Sequence, residues 1–124
     1  MKTKHLEGKG QTDYDFDHDI LFFKTAERDY FKSIELYNLV LDIDKDGFIV
    51  GIQIFEASKF LDIAKTKLLE VKNWRYDASI NDGILNIRLI FKVLVRNQLV
   101  EARPIIIQPV EENLPNSELI CIAA

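Results

Sequence analysis

Leu39, Leu41 and Ile43 alternate with polar or less apolar positions, and after Asp44-Lys45-Asp46-Gly47 the alternation resumes with Val50, Ile52 and Ile54. A period of two over runs this short marks half-buried strands. A two-residue type I′ turn at Asp46-Gly47, whose positive φ angles Asp and Gly tolerate, predicts a hairpin. Ile43 then faces Val50, Leu41 faces Ile52 and Leu39 faces Ile54. The opposite face sets Asp42 across from Gly51 and Val40 across from Gln53, with the carboxylates toward solvent. A slip of one residue would turn the whole apolar set outward, so this register is strongly specified. Upstream, Ile20-Leu21-Phe22-Phe23 marks a strand over residues 14–25, and Glu27-Arg28-Asp29 turns the chain into a long strand ending at Lys45. With residues 48–55 these make a three-stranded meander, antiparallel because its connections are short.

The period then changes. Ala57, Phe60, Leu61, Ala64 and Leu68 fall on one face of a helix over residues 59–71, with Ser58 as N-cap, Asp62 early and Lys65, Lys67 and Lys72 late, as the helix dipole favours. The stripe reads as core-facing rather than coenzyme-binding. Beyond it the hairpin pattern returns. A second type I′ turn at Asp82-Gly83 sets Ile80 on Leu85, Ala78 on Ile87, Tyr76 on Leu89 and Trp74 on Phe91, with Asp77 and Arg88 as an opposite-charge pair on the reverse face. A last strand returning through Asn97-Gln98 sets Val95 on Val100, Val93 on Ala102 and Leu89 on Ile106. The expected fold class is α+β: two three-stranded antiparallel β-meanders joined by one amphipathic helix, β3-α-β3. The divisions are a flexible tail (1–10), the first meander (11–57), the helix (58–72), the second meander (73–110) and a C-terminal segment (111–124).

At 124 residues, 48% hydrophobic and 29% charged, the chain is expected to be one domain that buries a core without disulfides or metal. The single cysteine, Cys121, excludes an internal disulfide and fits a reducing, cytoplasmic setting. No apolar run approaches a membrane span of about 20 residues, and no secretory h-region is visible at the start. The net charge of −4 is uneven: residues 1–58 hold 7 Lys/Arg and 12 Asp/Glu, residues 59–124 hold 9 and 8. Arg75, Arg88, Lys92, Arg96 and Arg103 give the second half a basic sheet face, but the acidic balance argues against a general nucleic-acid binder.

Two segments are rich in oxygen ligands. Asp42, Asp44, Asp46, Gly47 and Ile49 match an EF-hand loop at its first positions, yet the twelfth is Gln53, which supplies no bidentate carboxylate, and the flanks are strands rather than helices. The hairpin is therefore preferred. Asp15, Asp17 and Asp19 on a strand would share one face, with His18 beside them, and are the candidate metal ligands for Mg²⁺ or Ca²⁺. The plainer reading of this cluster is a solvated acidic turn. His5 or His18 with Cys121 could pair as base and nucleophile, though Cys121 sits in an apolar run where a cysteine is usually inert. No cofactor is implied, and no serine elbow, phosphate loop, paired-cysteine motif or histidine-rich metal spacing is present.

Tyr14-Asp15, Asp19-Ile20-Leu21 and the stretch from Asp42 through Gly51-Ile52, Ile54 and Ala57-Ser58 resemble a small bacterial and archaeal domain family of unknown function. Its hallmark is Y-D-x-x-x-D-x-L, a spacer, and D-x-D-x-x-G-x-I-V-G-I-E-I-x-x-A-S. The resemblance covers residues 14–60, and Gln53 stands where the family has Glu. It brings no activity, only an association with small partners of toxin-like proteins. Pro104 places the last strand at a sheet edge, and Ile105-Ile106-Ile107 after it is an apolar edge that something must cover. Either the segment 119–123 folds back over it or a second copy of the chain does, and the homodimer is the expectation. The expected function is a non-enzymatic protein-interaction module that self-associates or binds a protein partner, in the manner of a toxin–antitoxin pair. The alternative is a metal-assisted or acid–base enzyme at Asp15, Asp17, His18 and Asp19.

Overall fold

A computed structural model describes residues 4–110 and 114–123 of the chain, the last without its side chain. Along it run β1 (Lys4–Asp15), β2 (Ile20–Thr25), β3 (Lys32–Leu36), β4 (Leu39–Ile43), β5 (Ile49–Phe55), α1 (Ala57–Leu61), α2 (Lys65–Glu70), β6 (Trp74–Asn81), β7 (Ile84–Val95), β8 (Gln98–Ala102), β9 (Ile105–Pro109) and β10 (Ser117–Ala123). The strands form one mixed sheet in the order β3-β4-β5-β2-β1-β10-β6-β7-β8, with β9 pairing β7 beside β8. The pairs are antiparallel apart from β1 with β10, which run parallel. The fold is thus mostly β, a ten-stranded sheet with two short helices, rather than two three-stranded meanders joined by one amphipathic helix.

Two strands outside the expected plan join the halves. Of the expected tail, residues 4–10 belong to β1, which bends at residues 16–19 into β2; residues 1–3 lie outside the described residues. The expected C-terminal segment supplies β10, inserted between β1 and β6. It does not fold back over Ile105–Ile107, so that cover is excluded; residues 111–113 and 124 lie outside the described residues. The long strand expected to end at Lys45 is a hairpin of β3 and β4.

One face of the sheet is buried. Leu21, Phe23, Leu41, Ile52, Tyr76, Ile87, Leu89 and Leu119 all point into the same core. A flat sheet would hold β2 and β6 about 14 Å apart, with β1 and β10 between them. Instead the Phe23 ring lies 5.2 Å from that of Trp74 and 5.4 Å from that of Tyr76. The sheet therefore curls about β1 and β10, in the sense its twist favours, until its two halves pack face to face. The Tyr76 hydroxyl and Thr25 Oγ1 hydrogen-bond across that interface, and burial raises the Tyr76 phenol well above its ordinary pKa.

The single helix expected over residues 59–71 is broken. Asp62 adopts a left-handed conformation at φ 55°, and the Ile63 N–H reaches back to the Ser58 carbonyl, a termination of the Schellman type. The break lets Ile63 and Leu68 both reach the core, whereas Phe60 and Ala64 of the expected stripe stay exposed. In the second half the Asp82-Gly83 turn is as expected, with φ 50° and 79°, and every expected pair of β6 and β7 is present. Asp77 lies opposite Arg88, but its ion pair is with Arg75, at 3.0 Å along the same strand. The return strand turns at Arg96-Asn97, φ 49° and 64°, so Val93 faces Val100 and Ile87 faces Ile106, two residues from the expected register. A shift of two keeps each side chain on its expected face.

Candidate functional site

The acidic segment does not open into a site. Asp15 ends β1 and its carboxylate accepts the His18 N–H at 3.1 Å while facing His18 Nδ1 at 2.9 Å, which closes the turn over residues 16–19. The His18 backbone N–H, with the imidazole second, holds the Asp15 carboxyl below the usual carboxylate range. Asp19 leaves the turn at φ 56°. Its Oδ1 accepts from the Tyr14 hydroxyl at 2.6 Å and the Ser58 N–H at 3.0 Å, and its Oδ2 from the Ser58 hydroxyl at 2.6 Å. Burial works to raise the Asp19 carboxyl, but these hydrogen bonds and nearby Lys65 outweigh it and the net shift is downward. Burial, then the bond to Asp19, pushes the Tyr14 phenol upward. Asp15, Asp17 and Asp19 thus sit about a turn, the plainer of the two readings, rather than on one strand face, and Asp17 and His18 lie exposed. Among the described residues no group of three or more His, Cys, Asp or Glu is placed to hold a metal ion.

Ser58 also has a different part from the one expected. It is no N-cap: it lies inside α1, and Asp19, brought from the β1–β2 turn, receives its N–H while the Asp19 carbonyl receives that of Ala57. A free backbone donor at a helix start is satisfied by a remote carboxylate instead of a local hydroxyl.

The loop after β4 is built the same way. Asp44, expected to face solvent, is only 5% exposed. Its Oδ1 accepts the Asp46 and Phe48 N–H groups, both at 3.0 Å, and its Oδ2 lies 2.7 Å from the Arg28 guanidinium, which also covers the Phe48 ring at 5.3 Å. The loop is therefore an aspartate-closed turn rather than a two-residue one, and it displaces the last pair. Leu39 to Asp42 keep the expected partners, but Ile43 faces Ile49 and a bulge absorbs Val50. Asp42 accepts the Ser33 hydroxyl at 2.9 Å. A Cβ on Gly51 would come within 2.7 Å of the Asp42 carboxylate, so glycine there permits a close cross-strand approach. The three aspartates of the loop do not converge on a cation.

His5 and Cys121 stand apart: His5 lies beside Glu7 and Glu118 on the outer face, while Cys121 is buried opposite Tyr76. No nucleophile–base pair forms from them.

The open surface chemistry lies on the second half. The outer face of β7 carries Ile84, Ile90 and Leu94, and it is continued by Leu99 on β8, Ile105 and Ile107 on β9 and Ile122 on β10. At the far end of β7 this face meets the segment from α2 to β6 in a cleft of about 780 Å³, reached by Lys67, Lys72 and Lys92. Of the basic residues expected there, Arg75 is held by Asp77 and Arg103 by Glu101 at 2.7 Å, and Arg96 forms the β7–β8 turn. The signal for this surface in the chain is partial: the outward positions of β7 mix apolar Ile84, Ile90 and Leu94 with Asn86, Arg88 and Lys92, and only the inward set enters the core.

Residues 11–58 match the family described as protein of unknown function (DUF2283). Over 91 residues the chain is 40% identical to a protein of Methanosarcina mazei named putative hypoxanthine phosphoribosyltransferase, covering 72% of each chain. Over 63 residues it is 35% identical to an uncharacterized protein of Methanocaldococcus jannaschii, covering 50% of this chain and 53% of that one. No solved structure matches.

Proposed function

The chain belongs to the DUF2283 family of unknown function, and from that premise we propose that it is a non-enzymatic interaction module that associates with a second copy of itself through the β9 edge. The observation that carries this reading is the exposure of Ile105 and Ile107, 51% and 62%, on a strand whose outer backbone edge has no neighbour among the described residues. The opposite edge, β3, is blunted by Lys32 and Glu35 in a strand of five residues, the usual protection against sheet extension. β9 lacks such charges. Pro104 and Pro109 bound it, which limits pairing to the residues between them. Antiparallel pairing of two β9 strands about a two-fold axis would bring the Ile105 and Ile107 side chains of both copies together as a self-complementary contact.

The metal-assisted or acid–base enzyme at Asp15, Asp17, His18 and Asp19 finds little support, since Asp15 and Asp19 spend their oxygens on internal hydrogen bonds. The name of the Methanosarcina relative finds little either. Phosphate groups are commonly cradled where a glycine-rich loop opens a helix. Here α1 and α2 have five and six residues and begin after Glu56 and Ala64.

Sedimentation velocity over a wide concentration range tests the association. The expected result is a reversible monomer–dimer equilibrium that Ile107→Lys shifts to monomer with an unchanged circular dichroism spectrum. A strict monomer at high concentration would remove the reading.

A further inference from the structure

We propose that the cleft at the far end of β7 binds a single-chain amphipathic anion, an alkyl chain bearing a carboxylate. Its volume of about 780 Å³ falls within the range of about 300–1,000 Å³ typical of small-molecule sites. The walls are aliphatic: Leu69, Ile90, Leu94, Leu99 and Ile122. They suit a flexible chain better than a planar base. Trp74 and Phe91 also reach the cleft, but each is 2% exposed and the two rings pack on each other at 4.2 Å, so neither offers a free face for stacking.

Charge fixes the head group. Lys67, Lys72 and Lys92 line the cleft without an ion-pair partner among the described residues, against one carboxylate likewise outside any ion pair, Glu70, so positive charge is in excess by two. Arg75 is neutralised by Asp77, and Glu101 by Arg103. In a chain of net charge −4, three unpaired lysines around one apolar cleft mark local complementarity to an anion. Lysine ammonium groups act as mobile point charges and can follow a carboxylate at the cleft mouth while the alkyl chain buries on the aliphatic wall.

The cleft contains its own reporter, because Trp74 is the chain's one tryptophan. Decanoate, kept below its micelle concentration, is titrated into the full chain while Trp74 emission is followed. A saturable, one-to-one response is expected. Decanol, the neutral analogue, should bind at least about tenfold more weakly. The double variant Lys72→Glu, Lys92→Glu should weaken decanoate by about the same factor with its thermal melt unchanged. Should that variant melt early, Lys67→Gln carries the same test. A response that does not saturate, decanol binding as well as decanoate, or charge variants that bind undiminished would each overturn the proposal. The β9 edge lies at the other end of β7, so Ile107→Lys should leave the titration unaltered, and this proposal and the self-association reading fail separately.

Discussion

Apart from the two-residue turn Tyr37-Asn38 between β3 and β4, the two halves of the sheet turn a strand back on its neighbour by different means. In the half built from β1 to β5, the turns at residues 16–19 and 44–48 are irregular, and each is closed by a carboxylate: Asp15 and Asp19 at the first, Asp44 at the second. In the half built from β6 to β9, the turns Asp82-Gly83 and Arg96-Asn97 are two-residue turns with positive φ at both positions, and at the first the Asp82 N–H goes to the amide oxygen of Asn116 at 2.9 Å. The family match ends at residue 58. Within the matched segment Asp15, Asp19 and Asp44 close turns, and Gly51 permits the close approach of Asp42. The apolar and cationic surface left open lies beyond it, on the other half.

Substitutions of aspartate in the two halves should separate these roles. Asp44→Ala removes a buried partner of Arg28 and strands two backbone N–H groups, and should cost about 3 kcal/mol, measured as a lowered urea midpoint at constant m. Asp19→Ala leaves Tyr14 and Ser58 without their acceptor and should cost about 2 kcal/mol by the same measurement. The dependence on pH follows from these groups and from Tyr76. Asp15 and Asp19 ionise more readily folded than unfolded, so their contribution is full above the ordinary carboxylate pKa of about 3.9 and is lost as the pH falls below it. Tyr14 and Tyr76 are raised; stability is undiminished below the ordinary phenol pKa of about 10 and falls as the pH rises above it. Urea midpoints across pH should fall at both ends, and Asp19→Ala should flatten the acid limb. Asp77→Ala, in the second half, breaks only an exposed pair with Arg75 and should change stability by less than about 0.5 kcal/mol. An equal cost for Asp77 and Asp44 would erase the contrast.

The same contrast governs how much was legible in the chain. Where a two-residue turn sets the register, as at Asp82-Gly83, alternation of apolar residues located every pair. At Asn97-Gln98 two turn positions both preserved the alternation, so the faces were assigned and the register slipped by two. At Asp46-Gly47 the pairs up to Asp42–Gly51 were legible, but the bulge at Val50 follows from Asp44 turning inward, and hydropathy reads an aspartate as solvent-facing. β1 was hidden for the opposite reason. Its inward positions include Gly8 and Gly10, and a Cβ on Gly10 would lie 2.3 Å from the Lys24 carbonyl and 2.7 Å from Cys121 Sγ. With glycine at two inward positions and Thr12 at a third, the strand leaves only Leu6 and Tyr14 as a hydrophobic trace. The acidic cluster was found by composition, whereas its engagement by Ser58 depends on a contact across 39 positions. The cleft is not legible in the chain because Arg88 and Lys92 mark the outward side of β7 as a basic face, while the approach of α2 to Ile90 and Leu94 on that side is a tertiary contact.

The parallel pairing of β1 with β10 sets the order of events in folding. It joins Lys4 to Ser117, so its loop-closure entropy must be met before the ladder returns anything, and contacts of such range place a fold toward the slow, millisecond-to-second end of two-state kinetics. During synthesis the hairpins on either side can form from local contacts while β10 has yet to emerge. Until it inserts, β1 and β6 each present a bare edge and the core between the halves stays open. β10 therefore acts as a latch in time: its arrival ends the interval in which the chain is most exposed to pairing with the wrong strand.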